Sequence, residues 1–283
     1  MFSIEQTTWS DSCEILRFLE SCNFIHRHLD WLPLLDWIDS SPFLKYKVNG
    51  QMEGIFVSPP DPPGVAWIKS FACRKQLESY QIFKSLLEQA LNLLPIGTLQ
   101  LLAIGLQDWF IKLLTMNDFR LIQKVVVLKH KQVFSKSLIN PSVFIRPMQL
   151  DDITAVAEVD QTSFEPIWTV SSQGLKAAFF QSARASVAEM GGKIIGYELS
   201  TANSFSAHLA RIAVLPEFQK EKIGFQLVHA MIEFFYKMGI RDITVNTQDS
   251  NHASISLYQK AGFQMTGDQI PVFQYKPTLN TGQ

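Results

Sequence analysis

The sequence predicts an α/β (α+β) chain built from two copies of one unit. Three observations carry this. Short strand-like apolar runs alternate with stretches whose apolar residues recur at helical spacing. The two halves also align residue against residue. DSCEILRFLESCNF at 11–24 lies over DDITAVAEVDQTSF at 151–164, and VNGQMEGIFV at 48–57 over MGGKIIGYEL at 190–199, with Gly54 over Gly196. SFAC at 70–73 lies over RIAV at 211–214, and Phe119 over Phe263. The offset runs only from 140 (151 against 11) to 144 (263 against 119), which chance matches do not sustain. Third, the stretch 209–228, LARIAVLPEFQKEKIGFQLV, reads as a strand, a loop and a helix opening in the second copy alone.

Taken in order, residues 10–22 form a helix capped by Ser10 or Asp11. The aromatic and aspartate-rich run 24–45 holds a second helix ending before Pro42. Asn49-Gly50 turns a hairpin between 44–48 and 51–57, and the prolines at 59–63 mark a loop. A strand over 65–73, a helix over 74–93, a strand over 98–104, a helix over 107–116 and one or two strands over 119–130 complete the first copy. After a join near 131–142, the second copy has a strand at 143–147, a helix to about 162 and another from Ser171 or Ser172. A hairpin turns around Gly191-Gly192. Then come a strand at 208–214, a helix at 223–238, a strand at 241–247, a helix from about 253 to 260, and strands near 263–266 and 271–276. The domains expected are 1–133 and 142–283.

Bulk properties narrow the function. At 47% hydrophobic residues the chain buries a real core, and a net charge of −1 offers nothing to nucleic acid or an anionic membrane. Cys13, Cys22 and Cys73 are odd in number and unpaired in spacing, against both a disulfide framework and a metal site. The N-terminus lacks a signal-peptide pattern and no run is long enough to span a bilayer, which predicts a soluble, cytoplasmic protein.

The stretch 209–228 carries the first chemistry. Pro216 ends the strand, and Ile223, Leu227, Val228, Met231 and Ile232 recur at helical spacing. A helix opening presents unpaired N–H groups and the positive end of its dipole, a candidate cradle for phosphate. The equivalent loop of the first copy, CRKQLESYQIF, has neither proline nor glycine, so that copy is expected to lack a nucleotide site. In SNHASISLYQKAGF at 250–263, Asn251 suits a helix cap and Gly262 the left-handed position after the helix.

Together these segments resemble the GNAT superfamily of acyl-CoA N-acyltransferases. Its first motif, V-x-P-x-x-[QR]-x-x-G-x-[GA], is matched by Val214, Pro216, Gln219 and Gly224. The second, N-x-x-A-x-x-L-Y-x-x-x-G-F, is matched by Asn251, Leu257, Tyr258, Gly262 and Phe263, with Ser254 in place of alanine. IRPMQLDD at 145–152 and GGKIIGYE at 191–198 also look like the family. The resemblance is clear over about 143–276 and rests on the repeat before that, which makes the chain a tandem with a degenerate first copy. It implies two domains, each a mixed, mostly antiparallel twisted sheet flanked by helices, with the second opened into a V. It also implies acetyl-CoA as cosubstrate. Ile212, Ala213 and Val214 would pair with the pantetheine arm. Backbone amides of Gln219, Lys220, Glu221, Lys222, Ile223, Gly224 and Phe225 would hold the pyrophosphate, and Asn251 would bond the cofactor arm. Lys222 stands where the family has the first glycine of that loop.

For catalysis the resemblance implies Tyr258 near the thioester sulfur as general acid, and the Val214 N–H as oxyanion donor. The glutamate used by ribosomal-protein Nα-acetyltransferases is Asn246 here. Where other members carry a glutamate at the start of the fourth strand, this chain has His208, chemically able to act as the base. Glu198, Glu165 and a water chain stay open as alternatives. The acceptor is a small-molecule, peptide or protein amine, met by 164–169 with Trp168 and by a loop at 266–271. Two further readings stay open: a non-catalytic CoA sensor, and a tandem enzyme acylating a specialised amine metabolite. The first copy has two roles open to it, closing over the cleft or serving as a dimer surface.

Overall fold

The structure is a computed structural model that describes residues 1–95, 100–131 and 140–277. Its compact units are Met1–Ile122 with the chain from Ile270 on, and Gln123–Gln269. The expected join at 131–142 lies mostly outside the described residues, and the units divide elsewhere, inside two long strands.

In the first unit, β1 (Phe2–Gln6), β2 (Phe24–Arg27), β3 (Phe43–Val48), β4 (Gln51–Val57) and β6 (Ser70–Cys73) form a sheet in the order β1-β3-β4-β6-β2. Between β4 and β6 in sequence, β5 (Val65–Trp67) pairs in parallel with β7 (Gln100–Ile104). Helices α1 (Ser12–Glu20), α2 (Gln76–Leu93) and α3 (Asp108–Met116) cover the strands. The second helix expected within 24–45 is not there: the run opens as β2, holds one 3-10 turn at Leu34–Trp37, and closes into β3. Its aromatics lack a helical period, and backbone pairing of 24–27 with β6 decides the conformation. The single strand expected over 65–73 is two, because the chain leaves β7 at Ile68 and joins β4 at Lys69. Residues 98 and 99 of the expected strand lie outside the described residues.

The second unit contains β9 (Phe144–Pro147), α4 (Ile153–Ser163), α5 (Ser172–Gln181), β10 (Arg184–Met190), β11 (Lys193–Ala202), β12 (Ser206–Val214), α6 (Ile223–Lys237), β13 (Asp242–Gln248) and α7 (His252–Lys260). Its strands run antiparallel except β12 with β13.

The repeat is visible in the registers. Tyr46 pairs with Gly54 and Gly54 with Cys73, while Ala188 pairs with Gly196 and Gly196 with Val214. The hairpins are bulged at matching places, Tyr46/Lys47 and Ala188/Glu189. Both glycines make room for neighbours. A Cβ on Gly54 would meet Ile82 of α2 at 2.5 Å, and one on Gly196 would meet the Ala213 carbonyl at 2.9 Å.

Strands β8 (Phe119–His130) and β14 (Phe263–Tyr275) pass from one unit to the other. Residues 125–129 of β8 pair with β13, and Val126 and Leu128 enter the core formed by Leu209, Phe225, Phe235, Val245 and Phe263. In return, Val272–Gln274 of β14 pair with β7, and Phe273 enters the core of Phe71, Phe83, Phe110 and Phe119. The loop expected at 266–271 is therefore strand. Gly267, at φ 95°, lets it bend without ending. Among the described residues no helix is long and apolar enough to cross a membrane.

A chain beginning at Asn140 thus lacks β8, the antiparallel partner of β13. It should show no cooperative unfolding transition in denaturant, and a cooperative one would refute the exchange. In the full chain, Leu128→Ala should cost about 2–5 kcal/mol, because the residue is wholly buried in the second unit's core.

Candidate functional site

The site grows from the parting of two parallel strands. Ser206–Leu209 of β12 pair with Asp242–Val245 of β13. Beyond that β13 stays with β8, as Gln248 pairs with Val125, while among the described residues β12 follows β11 alone. An irregularity at Leu199/Ser200 leaves Ala210 as an extra residue in β12, and bulges bend and twist a strand at such points. Leu215 donates its N–H to Ile195 of β11. By alternation the N–H groups of Ile212 and Val214 face the opened side. The Val214 carbonyl there accepts from Ser163 Oγ at 3.2 Å and Gln219 Nε2 at 3.1 Å.

In the first copy the same edge is covered. Phe24–Arg27 of β2 pair with Cys73–Ser70, so the chain's own backbone lies where the second copy is open. Residue 24 aligns with Phe164, after which the second copy reads Glu165-Pro166 and forms a 3-10 turn. Proline cannot donate to a ladder, so this segment does not repeat β2.

The edge of β12 leads into Leu215–Lys222. Lys220 and Lys222 both take the left-handed conformation at φ 67°, and Lys222 is the residue from which α6 starts. The lysine at the family's glycine position has thus kept a glycine-like backbone at a cost of about 1–2 kcal/mol. Ile223 and Phe225 turn their side chains into the core, which leaves their amides as the groups that can meet a ligand. Gly224 serves helix packing: a Cβ there would lie 3.3 Å from Leu257 of α7. Asn140 fastens the loop, donating from Nδ2 to the Glu221 carbonyl at 3.3 Å and from its N–H to Gln226 Oε1 at 3.1 Å. Unpaired amides, the helix dipole and two exposed lysines together suit an anion.

Ala207, Leu209, Ile243 and Val245 point into the core, so His208, Thr244 and Asn246 share the opposite face. His208 is half-buried, with Nδ1 2.9 Å from Thr244 Oγ1. Burial holds its pKa below the ordinary imidazole value, and an Asn246 side-chain hydrogen bond partly opposes this. The two positions that sequence reasoning weighed separately for the base are therefore neighbours. Thr244 Oγ1 in turn donates to the Ala207 carbonyl at 3.5 Å.

Tyr258 belongs to the core cluster, 3% exposed and tilted against Phe263. Burial raises its pKa well above that of a free phenol and outweighs a hydrogen bond with Ser254. It keeps its proton at any physiological pH, as a donor must. Asn251 caps α7, accepting the Ser254 N–H at Oδ1 (3.1 Å), which leaves its Nδ2 as donor. Glu198 of β11 pairs in register with Ile212 of β12. It is wholly buried and held by Arg184 Nε at 2.6 Å and by Ser186 and Ser200. Glu165 is exposed, its carbonyl accepting the Trp168 N–H.

Two groups escaped sequence reasoning. Asp160, wholly buried in α4, accepts from Tyr197 Oη, from Arg211 through Nε and Nη2, and from the Val170 N–H. Arg211 also donates to the Trp168 carbonyl at 2.6 Å and lies 3.9 Å over the Phe164 ring. An aspartate four residues after Val156 on an apolar helix face was the available signal. The other is Gln123 of β8, which bonds Trp168 Nε1 at 3.2 Å, and nothing local in sequence marks it.

Residues 153–263 match the family model described as Acetyltransferase (GNAT) family. A Bacillus subtilis (strain 168) protein with the provisional name ribosomal protein bS18-alanine N-acetyltransferase is 29% identical over 123 residues, 44% of this chain and 82% of its own. The Escherichia coli (strain K12) ribosomal protein bS18-alanine N-acetyltransferase is 26% identical over 123 residues, 42% of this chain and 79% of its own. A solved tandem GNAT protein from the clavulanic acid biosynthesis pathway covers 98% of this chain and 100% of itself, with a TM-score of 0.62 at 13% identity. That likeness is one of fold, and it takes in both copies.

The left-handed lysine yields a stability test. Lys222→Gly should raise stability by up to about 1 kcal/mol, and Lys222→Val should lower it by about 1–3 kcal/mol, because a β-branched residue tolerates that conformation worst. Thermal melts that rank the two variants the other way would refute this backbone conformation.

Proposed function

We propose that this chain, an N-acetyltransferase whose residues 153–263 form a GNAT acetyltransferase domain, moves the acetyl group of acetyl-CoA to a primary amine by direct attack on the thioester. The observation that carries the finer reading is the opened edge of β12 running straight into an amide-rich helix start. An extended arm bearing amides can pair with Ile212–Val214 as a strand would, and its pyrophosphate then reaches the loop Gln219–Phe225. The residues suit the cosubstrate: Lys220 and Lys222 are left-handed, and backbone turns that include such residues can present successive amides to an anion. Asn251 Nδ2 bonds the arm from the facing side.

The amine must lose a proton before it attacks, and His208 takes it. Thr244 Oγ1 donates to Ala207, so it accepts from His208 Nδ1–H and leaves Nε2 with the lone pair. Asn246 favours the protonated ring once the proton arrives. The Val214 N–H faces the developing oxyanion. Tyr258 gives its proton to the leaving thiolate, and Lys220 and Lys222 add charge beside the phosphates. The acceptor enters past 164–169. The similarity to bS18-alanine acetyltransferases favours a protein or peptide amine over a small metabolite. The first copy, its edge covered by β2, binds no acetyl-CoA, so one molecule binds per chain.

Saturating acetyl-CoA should raise the melting temperature, since a ligand that binds only the folded state stabilises it. An amine-acceptor screen should release free thiol. No thermal shift refutes the acetyl-CoA site, while a shift with no thiol released from any amine favours the sensor reading.

The base has a pH signature. His208 must be neutral to act, so kcat/KM should fall as pH drops through its lowered pKa, below about 6.5. His208→Ala should lose that limb of the profile, and an unchanged profile removes His208 from the role. Stability carries the same sign. The unfolded imidazole takes up a proton first as pH falls below about 6.5, so this group destabilises the fold in acid and has no effect above that pH.

A further inference from the structure

The side chain of Gln123 joins two parts of the site that the second copy builds separately. Its Oε1 accepts from Trp168 Nε1 at 3.2 Å, and its Nε2 donates to Ser250 Oγ at 2.9 Å. The indole is a donor only, so this amide orientation is the one that satisfies both partners. Trp168 is held at its other end by Arg211 of β12, through its carbonyl. It therefore crosses from β12 to β8, over the gap where β12 and β13 part. Ser250 immediately precedes Asn251, and the turn bearing both is tied to β8, as Asp249 N–H donates to the Lys124 carbonyl at 2.9 Å.

We infer that Gln123 is a positioning residue that carries occupancy of the cosubstrate arm at Asn251 to Trp168, the wall met by the acceptor. This rests on the acetyl-CoA reading above. An arm that bonds Asn251 Nδ2 loads the turn at 249–251, which Gln123 holds through Ser250. Ser250 moves with it, and Gln123 passes the movement to the indole through two hydrogen bonds. The acceptor wall is thereby set when cosubstrate is in place. The link comes from a residue that precedes the second copy in sequence and opens the second compact unit.

Trp168 reports on this directly, because the other tryptophans, at 9, 31, 37, 67 and 109, all belong to the first unit. Coenzyme A is titrated into the full chain while intrinsic emission and melting temperature are followed, with Trp168→Phe run in parallel to isolate the Trp168 signal. In the wild type, CoA should raise the melting temperature and shift Trp168 emission. In Gln123→Leu, the thermal shift should persist and the emission change should be lost. Ser250→Ala, which cuts only the far bond, should behave likewise. An emission change in either variant equal to that of the wild type overturns the link, as does wild-type CoA binding with no Trp168 response. Absence of any thermal shift in the wild type overturns the CoA site itself and the link with it.

Discussion

Among the described residues, strand β13 past Val245 has a neighbour on one side only, and that neighbour is β8. The antiparallel ladder from Thr244↔Lys129 to Gln248↔Val125 is what allows β12 and β13 to part at all. A buried strand that gave up both partners would leave donors and acceptors unsatisfied, at roughly 1–3 kcal/mol each. With β8 in place, β13 stays ordered along one edge and leaves the other for a ligand. The opened edge of β12 depends on that ladder.

The two copies solve the same edge problem differently. Each has a bulged hairpin, a glycine at the close approach, and a strand whose far edge the hairpin does not cover. In the first copy β2 fills the edge and α2 begins two residues past Arg74, with no room for a loop. In the second, Pro166 keeps the aligned segment out of the sheet, and Asp160 and Arg211 hold it to one side. The open edge then continues into a loop strained at Lys220 and Lys222. Strain of this kind persists where the surroundings over-determine it, and here the fastenings are Asn140 and Gln226.

Most helices and both glycine hairpins were legible in the sequence, because their signals are local: caps, periods and turn dipeptides. The repeat was legible through its steady offset and reappears in the paired glycines. What stayed hidden is non-local. The run at 24–27 becomes a strand because β6 offers an edge, and 65–73 splits because its ends have different partners. Gly267 bends β14 where a loop was expected. In the site, Asn251 and the amide-rich helix start were visible as residue types at fixed spacing. The pairing of His208 with Thr244 and Asn246 required the register of two strands, and the buried setting of Tyr258 required the core around Phe263. Gln123 was invisible because it lies in the other copy.

The exchange of strands also sets the order in which the protein can fold during synthesis. Strand β7 emerges early but waits for residues 272–274, and β8 waits for residues 244–248. Neither core closes before residues 244–248 and 272–274 are in place. Such late, long-range closure is slow and leaves strand edges exposed meanwhile.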